Sequence, residues 1–165
     1  MSYSIAQLNQ MTQDEFAVAL GAVLEETPAI AHHAWENRPF ADVTDLHQRL
    51  VGVVKAMRRE EQLALIRAHP DLGSNAKMAE ASVKEQAGAG LDQLTPPEYE
   101  RFQVLNRSYQ EKFDFPFIVA VKNHTKDSIL ETFARRLENT VDQELEQALT
   151  EIFQIAQFRL LAMVG

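Results

Sequence analysis

A chain of 165 residues, 45% apolar and 24% charged, has the size and balance of one globular domain able to bury its own core. Its net charge of −8, with basic residues scattered apart from Arg58-Arg59 and Arg135-Arg136, argues against nucleic acid or an anionic membrane as partner. The absence of cysteine excludes disulfides, thiolate nucleophiles and cysteine-type zinc sites.

The apolar periodicity is helical nearly throughout. Thr12-x-x-Glu15 is a capping box opening a run with Phe16, Leu20, Val23 and Leu24 on one face. Pro28 suits the first turn of a second helix, which Pro39 closes. Asp42 or Thr44 starts a third, with Val43, Leu46, Leu50, Val53, Val54 and Met57 periodic. A fourth, with Leu63, Leu65 and Ile66, ends before Pro70, because the residue preceding a proline disfavours helix. Residues 70 to 81 read as a loop turning at Gly73, after which Ser82 opens a short helix weakened by Gly88 and Gly90. Thr95-Pro96-Pro97-Glu98 starts a helix running through Phe102, Leu105 and Tyr109. The stretch Phe113 to Val121 concentrates aromatic and β-branched residues and reads as buried. Further helices are expected over Thr125 to Leu137 and from about Val141 to Met163. With no repeat, low-complexity tract or linker, the expectation is all-α: a single-domain multi-helix bundle over residues 1–165.

The N-terminal residues lack a signal-peptide pattern, and the longest apolar runs, such as 117–121, are far too short to cross a bilayer. The chain ends Met163-Val164-Gly165 rather than in a Ser-Lys-Leu peroxisomal address. A cytoplasmic location is expected.

Chemistry concentrates in His69-Pro70-Asp71-Leu72-Gly73 followed by Ser82-x-x-Glu85-Gln86-x-x-x-Gly90-Leu91. In a helix, Ser82, Glu85 and Gln86 share one face, a short loop away from an imidazole. A base, an acid and an amide so gathered can grip a small polar substrate. Plainer readings stand beside this one. His69 can simply cap a helix end and interact with its dipole. Ser82-x-x-Glu85 is itself a capping box, although Gln86 is not needed for one. His32-His33-x-Trp35-Glu36-x-Arg38 lacks the repeated ligand spacing of a metal site, so no metal is expected. Trp35 packed on a neighbouring helix, with Arg38 paired to an acid, is the simpler reading. There is no Gly-x-Ser-x-Gly elbow and no phosphate-binding glycine loop. Phe115 to Val121 reads as core that also suits a wall for a flat ring. Arg159, inside an apolar stretch of the last helix, is either paired or snorkelling, or else an inward arginine that binds a carboxylate bidentately.

In order along the chain stand Ala34-Trp35 with Arg38-Pro39-Phe40, Ala68-His69-Pro70-Asp71-Leu72-Gly73, Ser82-x-x-Glu85-Gln86 with Gly90-Leu91, and Leu105-Asn106-x-x-Tyr109. Phe113-x-Phe115-Pro116-Phe117-Ile118 follows, then Ile129-Leu130, Arg136-Leu137-x-Asn139 and Ile155-Ala156-x-x-Arg159-Leu160. This ordered set covers most of the chain and resembles the OHCU decarboxylase family, OHCU being 2-oxo-4-hydroxy-4-carboxy-5-ureidoimidazoline. Each motif is weak alone; the series is specific. The lack of a peroxisomal tag points to a bacterial-type member. One departure is Lys122-Asn123, where relatives often carry glycine after the basic residue; asparagine also tolerates left-handed backbone.

The resemblance implies an all-α homodimer that converts OHCU to (S)-allantoin and CO2, the third step of urate oxidation, without a cofactor. It places the catalytic histidine on His69, with Glu85 beside it. Substrate contacts fall on Pro70, Ser82, Glu85, Gln86, Phe117, Ile118, Val119, Ala120, Val121 and Arg159. The chemistry is consistent with an absent cofactor: the leaving carboxylate sits next to a ring C=N bond, so the substrate contains its own electron sink. Two other readings remain from the residues alone: another cofactor-free enzyme of ureide metabolism, or an inactive helical interaction module.

Overall fold

The computed structural model describes residues 2–25, 27–73 and 80–165, and for 80–82 the backbone alone. Its helices are α1 (Ile5–Gln10), α2 (Gln13–Leu20), α3 (Pro28–Ala34), α4 (Val43–Ala56), α5 (Arg59–Arg67), α6 (Glu80–Gly88), α7 (Pro96–Phe113), α8 (Lys126–Arg136) and α9 (Val141–Met163). Short 3-10 turns occupy Trp35–Asn37 and Val121–Asn123. Among the described residues there is no β-strand, only an isolated parallel bridge between Tyr3 and Val164. The all-α expectation holds, and no helix is long and apolar enough to cross a membrane among the described residues.

The chain divides into two compact units, one of Met1–Leu65 with Phe153–Gly165, the other of Ile66–Ile152. In the first unit α2 packs on α3 and α3 on α4. The helix starts are those the sequence dictates. Thr12 and Glu15 close a reciprocal capping box, Pro28 occupies the first turn of α3, and Asp42 accepts from the Asp45 amide. Ser4 and Gln7 form another box at α1, a helix that periodicity missed because only Leu8 of its six residues is buried. The run expected through Leu24 is shorter: α2 stops at Leu20, and the chain turns through a Val23-to-Leu20 hydrogen bond to Glu25, whose φ is 46°.

Arg38 corrects a sequence expectation. Among the described residues it is not paired to an acid. Its guanidinium carbon lies 3.6 Å from the Trp35 ring centroid, and it donates to the carbonyls of Trp35 and Asn9. The Trp35 indole in turn donates to the Met11 carbonyl at 2.9 Å. The arginine is held by a ring face and backbone dipoles, which suit its delocalised charge.

In the second unit α7 packs against α8, and α6 lies against the 121–123 turn. The Thr95–Glu98 capping box and Pro96 start α7, and Asp114, at φ 62°, ends it. Tyr109 anchors an aromatic cluster with Phe113, Phe115, Phe117 and Phe133 at centroid separations of 4.4 to 6.0 Å. Each such pair adds about 0.5–1.5 kcal/mol beyond its buried area. The segment 115–121 is buried throughout, as its composition predicts. Asn123 has no positive φ, so its backbone does not call for glycine.

Candidate active site

His69 follows α5 by two residues, is buried, and donates its amide to the Ile66 carbonyl at 3.1 Å. Pro70 then fixes the backbone leading into Asp71-Leu72-Gly73. Leu72 and Gly73 are buried, so their peptide groups need partners within the protein. Carboxamides supply them. The Gln86 side chain accepts from the Gly73 amide at 3.0 Å and donates to the Asp71 carbonyl at 3.3 Å. Asn106 donates to the Leu72 carbonyl at 2.9 Å, and Gln103 to the Gly73 carbonyl at 3.3 Å. Gln110 donates to the Asp71 carboxylate at 2.9 Å. Gly73 itself has φ 65° and packs so closely on Leu94 and Phe102 that a Cβ would meet Leu94 Cδ1 at 2.9 Å.

Ser82, Glu85 and Gln86 all lie on α6, at the i, i+3, i+4 spacing of one face. The helix begins at Glu80, so Ser82 is inside it and is not its N-cap. The capping-box reading of Ser82-x-x-Glu85 is therefore set aside on backbone grounds; the Ser82 side chain lies outside the described residues. Glu85 is half-buried, and its neighbour Gln86 is the fully buried member of the pair. Through Gln86, the helix bearing Glu85 is tied directly to the turn that follows His69. Because α6 also lies against residues 121–123, the end of the Phe117–Val121 segment joins the same neighbourhood.

That segment is fixed by a buried polar network. Arg136 donates through Nη1 to the Ile118 carbonyl at 2.6 Å and through Nε to Glu144 at 2.8 Å. Glu144 also accepts from Tyr109 at 2.6 Å and from Asn139 at 2.8 Å. Glu151 accepts from the Ala120 amide at 3.2 Å and from Gln147 at 3.2 Å. Phe117 stacks on Phe133 at 3.9 Å, while the Arg136 guanidinium lies 4.4 Å from its centroid. Two groups that close must occupy opposite ring faces. Phe117 thus offers no free face to a flat ligand, contrary to its reading as a wall. Burial and the Glu144 carboxylate push the Tyr109 hydroxyl well above its ordinary range.

Arg159 belongs to the first unit. There it pairs with Glu25 at 3.0 Å, both side chains buried, and donates to the Ala22 carbonyl at 3.0 Å. The paired alternative read from the sequence is the arrangement present. The same unit holds a cavity of about 630 Å³ lined by Ile30, His33, Val53, Met57, Glu61 and Leu65 among others, and none of the expected site residues borders it. Among the described residues no three His, Asp or Glu side chains are grouped to hold a metal ion.

Sequence reasoning gave no role to Gln103, Gln110, Glu144 or Glu151, and quoted Asn106, Tyr109 and Arg136 only as matching positions. A signal existed for three of them. Gln103, Asn106 and Gln110 stand at i, i+3 and i+7, a polar stripe on one face of α7.

A protein-family profile described as OHCU decarboxylase matches residues 9–161. The chain is 44% identical over 158 residues to the uric acid degradation bifunctional protein PucL of Bacillus subtilis (strain 168), covering 96% of this chain but only 32% of that longer protein. It is 41% identical over 157 residues to the 2-oxo-4-hydroxy-4-carboxy-5-ureidoimidazoline decarboxylase of Halalkalicoccus jeotgali, covering 95% of this chain and 89% of that one. Among solved structures it is similar to a crystal structure of (S)-allantoin synthase, with a TM-score of 0.81 and 28% identity, covering 98% of this chain and 54% of that one.

Proposed function

This chain belongs to the OHCU decarboxylase family, and on that premise we propose that it converts OHCU to (S)-allantoin and CO2 without a cofactor, the third step of urate oxidation. The observation that carries the reading is the junction of His69's turn with α6: Gln86 holds both Asp71 and Gly73, placing Glu85's helix beside the histidine's loop. The family profile runs across both compact units, which supports one catalytic domain over 1–165.

The chemistry needs no electron sink from the protein. As the bond to the carboxylate breaks, its electron pair moves toward the adjacent ring C=N, whose nitrogen gains a proton. The 4-hydroxyl then loses its proton to become a carbonyl, and the neighbouring carbon is protonated. His69 takes the hydroxyl proton, a role an imidazole can fill. Glu85 orients the imidazole or the ureido group. Pro70 and, by family resemblance, Ser82 contact the substrate, Gln86 fixes the 71–73 turn beside them, and the 117–121 segment contributes through backbone groups, since its Phe117 ring is already sandwiched. Arg159, a substrate contact by family resemblance alone, has its guanidinium taken by Glu25 and the Ala22 carbonyl. Orientation and a one-sided proton source are what the protein adds. A cytoplasmic homodimer acting on a small molecule, with neither nucleic acid nor membrane as partner, completes the reading.

The test is circular dichroism of OHCU generated in situ from urate with urate oxidase and the hydrolase. Fast loss of OHCU with a growing (S)-allantoin signal on adding this protein is expected. Slow decay to racemate, unchanged by the folded protein, would reject the reading.

A further inference from the structure

We propose that Asn106 is a positioning residue for His69, acting through the turn that follows the histidine; this rests on the reading of His69 as the proton-transfer group. His69 is clamped on one side by the last turn of α5, through its amide bond to Ile66. On its other side Pro70 has a fixed φ and gives the chain little slack. A displacement of residues 71–73 is therefore passed to the imidazole rather than absorbed. The position of His69 is only as well defined as that turn.

The turn has no strand or helix to hold it. The carbonyls of Asp71, Leu72 and Gly73 and the Gly73 amide are instead met by carboxamides, two of them on the same face of α7. Asn106 is the central one. It is 4% exposed, and its Nδ2 donates to the Leu72 carbonyl, the middle peptide of the turn. Its Oδ1 meets no hydrogen-bond donor among the described residues. The unmet acceptor offsets part of what the bond to the Leu72 carbonyl contributes to stability. What the amide supplies is a fixed donor at one point. Neutral carboxamides also suit the task because they add no charge beside a histidine whose protonation has to remain free to change.

The experiment compares Asn106→Leu with the wild type, with the exposed Arg107→Ala as control. Leucine keeps roughly the volume, removes the donor and removes the unmet acceptor. The buried Leu72 carbonyl loses its donor while the unmet Oδ1 is removed, so the urea midpoint is expected to fall modestly with the variant still folded. kcat on OHCU is expected to fall by about 10- to 100-fold, the scale set by misplacing a catalytic group by up to about 1 Å. KM is expected to change by less than about 3-fold, and the pH profile of kcat to shift, whereas a residue that only stabilises the fold would leave that profile in place. A folded Asn106→Leu with wild-type kcat and pH profile overturns the proposal. If that variant does not fold, Gln110→Met reports instead. Gln110 is exposed and, among the described residues, its amide reaches the Asp71 side chain alone, so a few-fold loss of kcat with the same profile shift is expected, and no change overturns the proposal. The His69 imidazole resonances give a readout without substrate. They move in Asn106→Leu if the amide positions the ring, and their staying in place refutes the positioning role even where wild-type protein fails to act on OHCU.

Discussion

Tyr109 donates its hydroxyl to Glu144 across 2.6 Å in a part of the second unit where neither side chain reaches water. Glu144 answers a buried cation as well, since Arg136 lies 2.8 Å away, and Arg136 in turn holds the Ile118 carbonyl. The pair is thus the base on which the 117–121 segment rests. Removing one ion of a buried pair leaves the other uncompensated. Glu144→Ala is expected to cost about 3–5 kcal/mol, whereas Tyr109→Phe, which removes one hydrogen bond to a charged group, should cost about 1.5–3 kcal/mol. Urea unfolding of the two variants checks the order; equal losses would mean the ion pair contributes nothing beyond the tyrosine bond.

The same contact sets an alkaline limit. The Tyr109 hydroxyl is pushed upward first by burial and then by Glu144, from an ordinary value of 10.0. The folded state therefore keeps its proton more tightly than the unfolded state. Stability from this group is complete below about pH 10 and is lost as pH rises beyond that toward the raised folded value. Unfolding midpoints measured between pH 8 and 11 should fall at the upper end for the wild type and fall less for Tyr109→Phe. Parallel curves would remove Tyr109 from the alkaline transition.

Most of the fold was legible because its punctuation is local. Thr12, Pro28, Asp42, Thr95 and Thr125 each start the helix expected of them, while Pro70 follows the end of α5 and Gly73 turns the chain after it. These signals act within four residues and need no knowledge of the tertiary structure. The site was legible only in part. His69 and Glu85 could be singled out as titratable groups, and their ordered spacing carried the family resemblance. What could not be read is which amides face the turn: Gln86 looks in sequence like a ligand for substrate, yet both ends of its carboxamide meet backbone 13 and 15 residues away. Arg38 shows the same limit, since a long-range ring face replaces the expected acid.

Glu85 can be separated from its helix. Because α6 begins at Glu80, the carboxylate does not cap it. Glu85→Gln is expected to change stability by no more than about 0.5 kcal/mol, as for a substitution outside any cap or core. kcat on OHCU should nevertheless fall. A loss of about 1 kcal/mol in stability with unaltered kcat would restore the cap reading and remove Glu85 from the chemistry.

Gly73 is the tightest point of the turn. Its φ of 65° disfavours any side chain, and the Cβ of an alanine would press on Leu94 Cδ1 at 2.9 Å and Phe102 at 3.4 Å. Leu94 can move; the backbone angle cannot be changed without breaking the bond to Gln86. Gly73→Ala is expected to cost about 1–3 kcal/mol and to reduce kcat with it. Full activity at wild-type stability would show that the turn tolerates a second conformation, and would weaken the link between residues 71–73 and His69.

His69 itself gives the sharpest outcome, because the uncatalysed reaction differs in product as well as rate. OHCU decays by itself to racemic allantoin, so an enzyme that has lost its proton-transfer group fails twice: it is slower, and its product loses handedness as the solvent reaction overtakes it. His69→Ala should lower kcat by about 10²–10⁴-fold, the range for losing a general acid or base. The imidazole is buried and ends a helix, so a destabilised variant could mimic that loss. His69→Gln controls for this. It keeps polar atoms and much of the volume but cannot exchange a proton near neutral pH. If both variants fold, lose rate together and yield racemate, proton transfer at His69 is required. If His69→Gln retains the rate and the (S) product, the imidazole serves only to bind or to fill space, and the proton must be carried by another group.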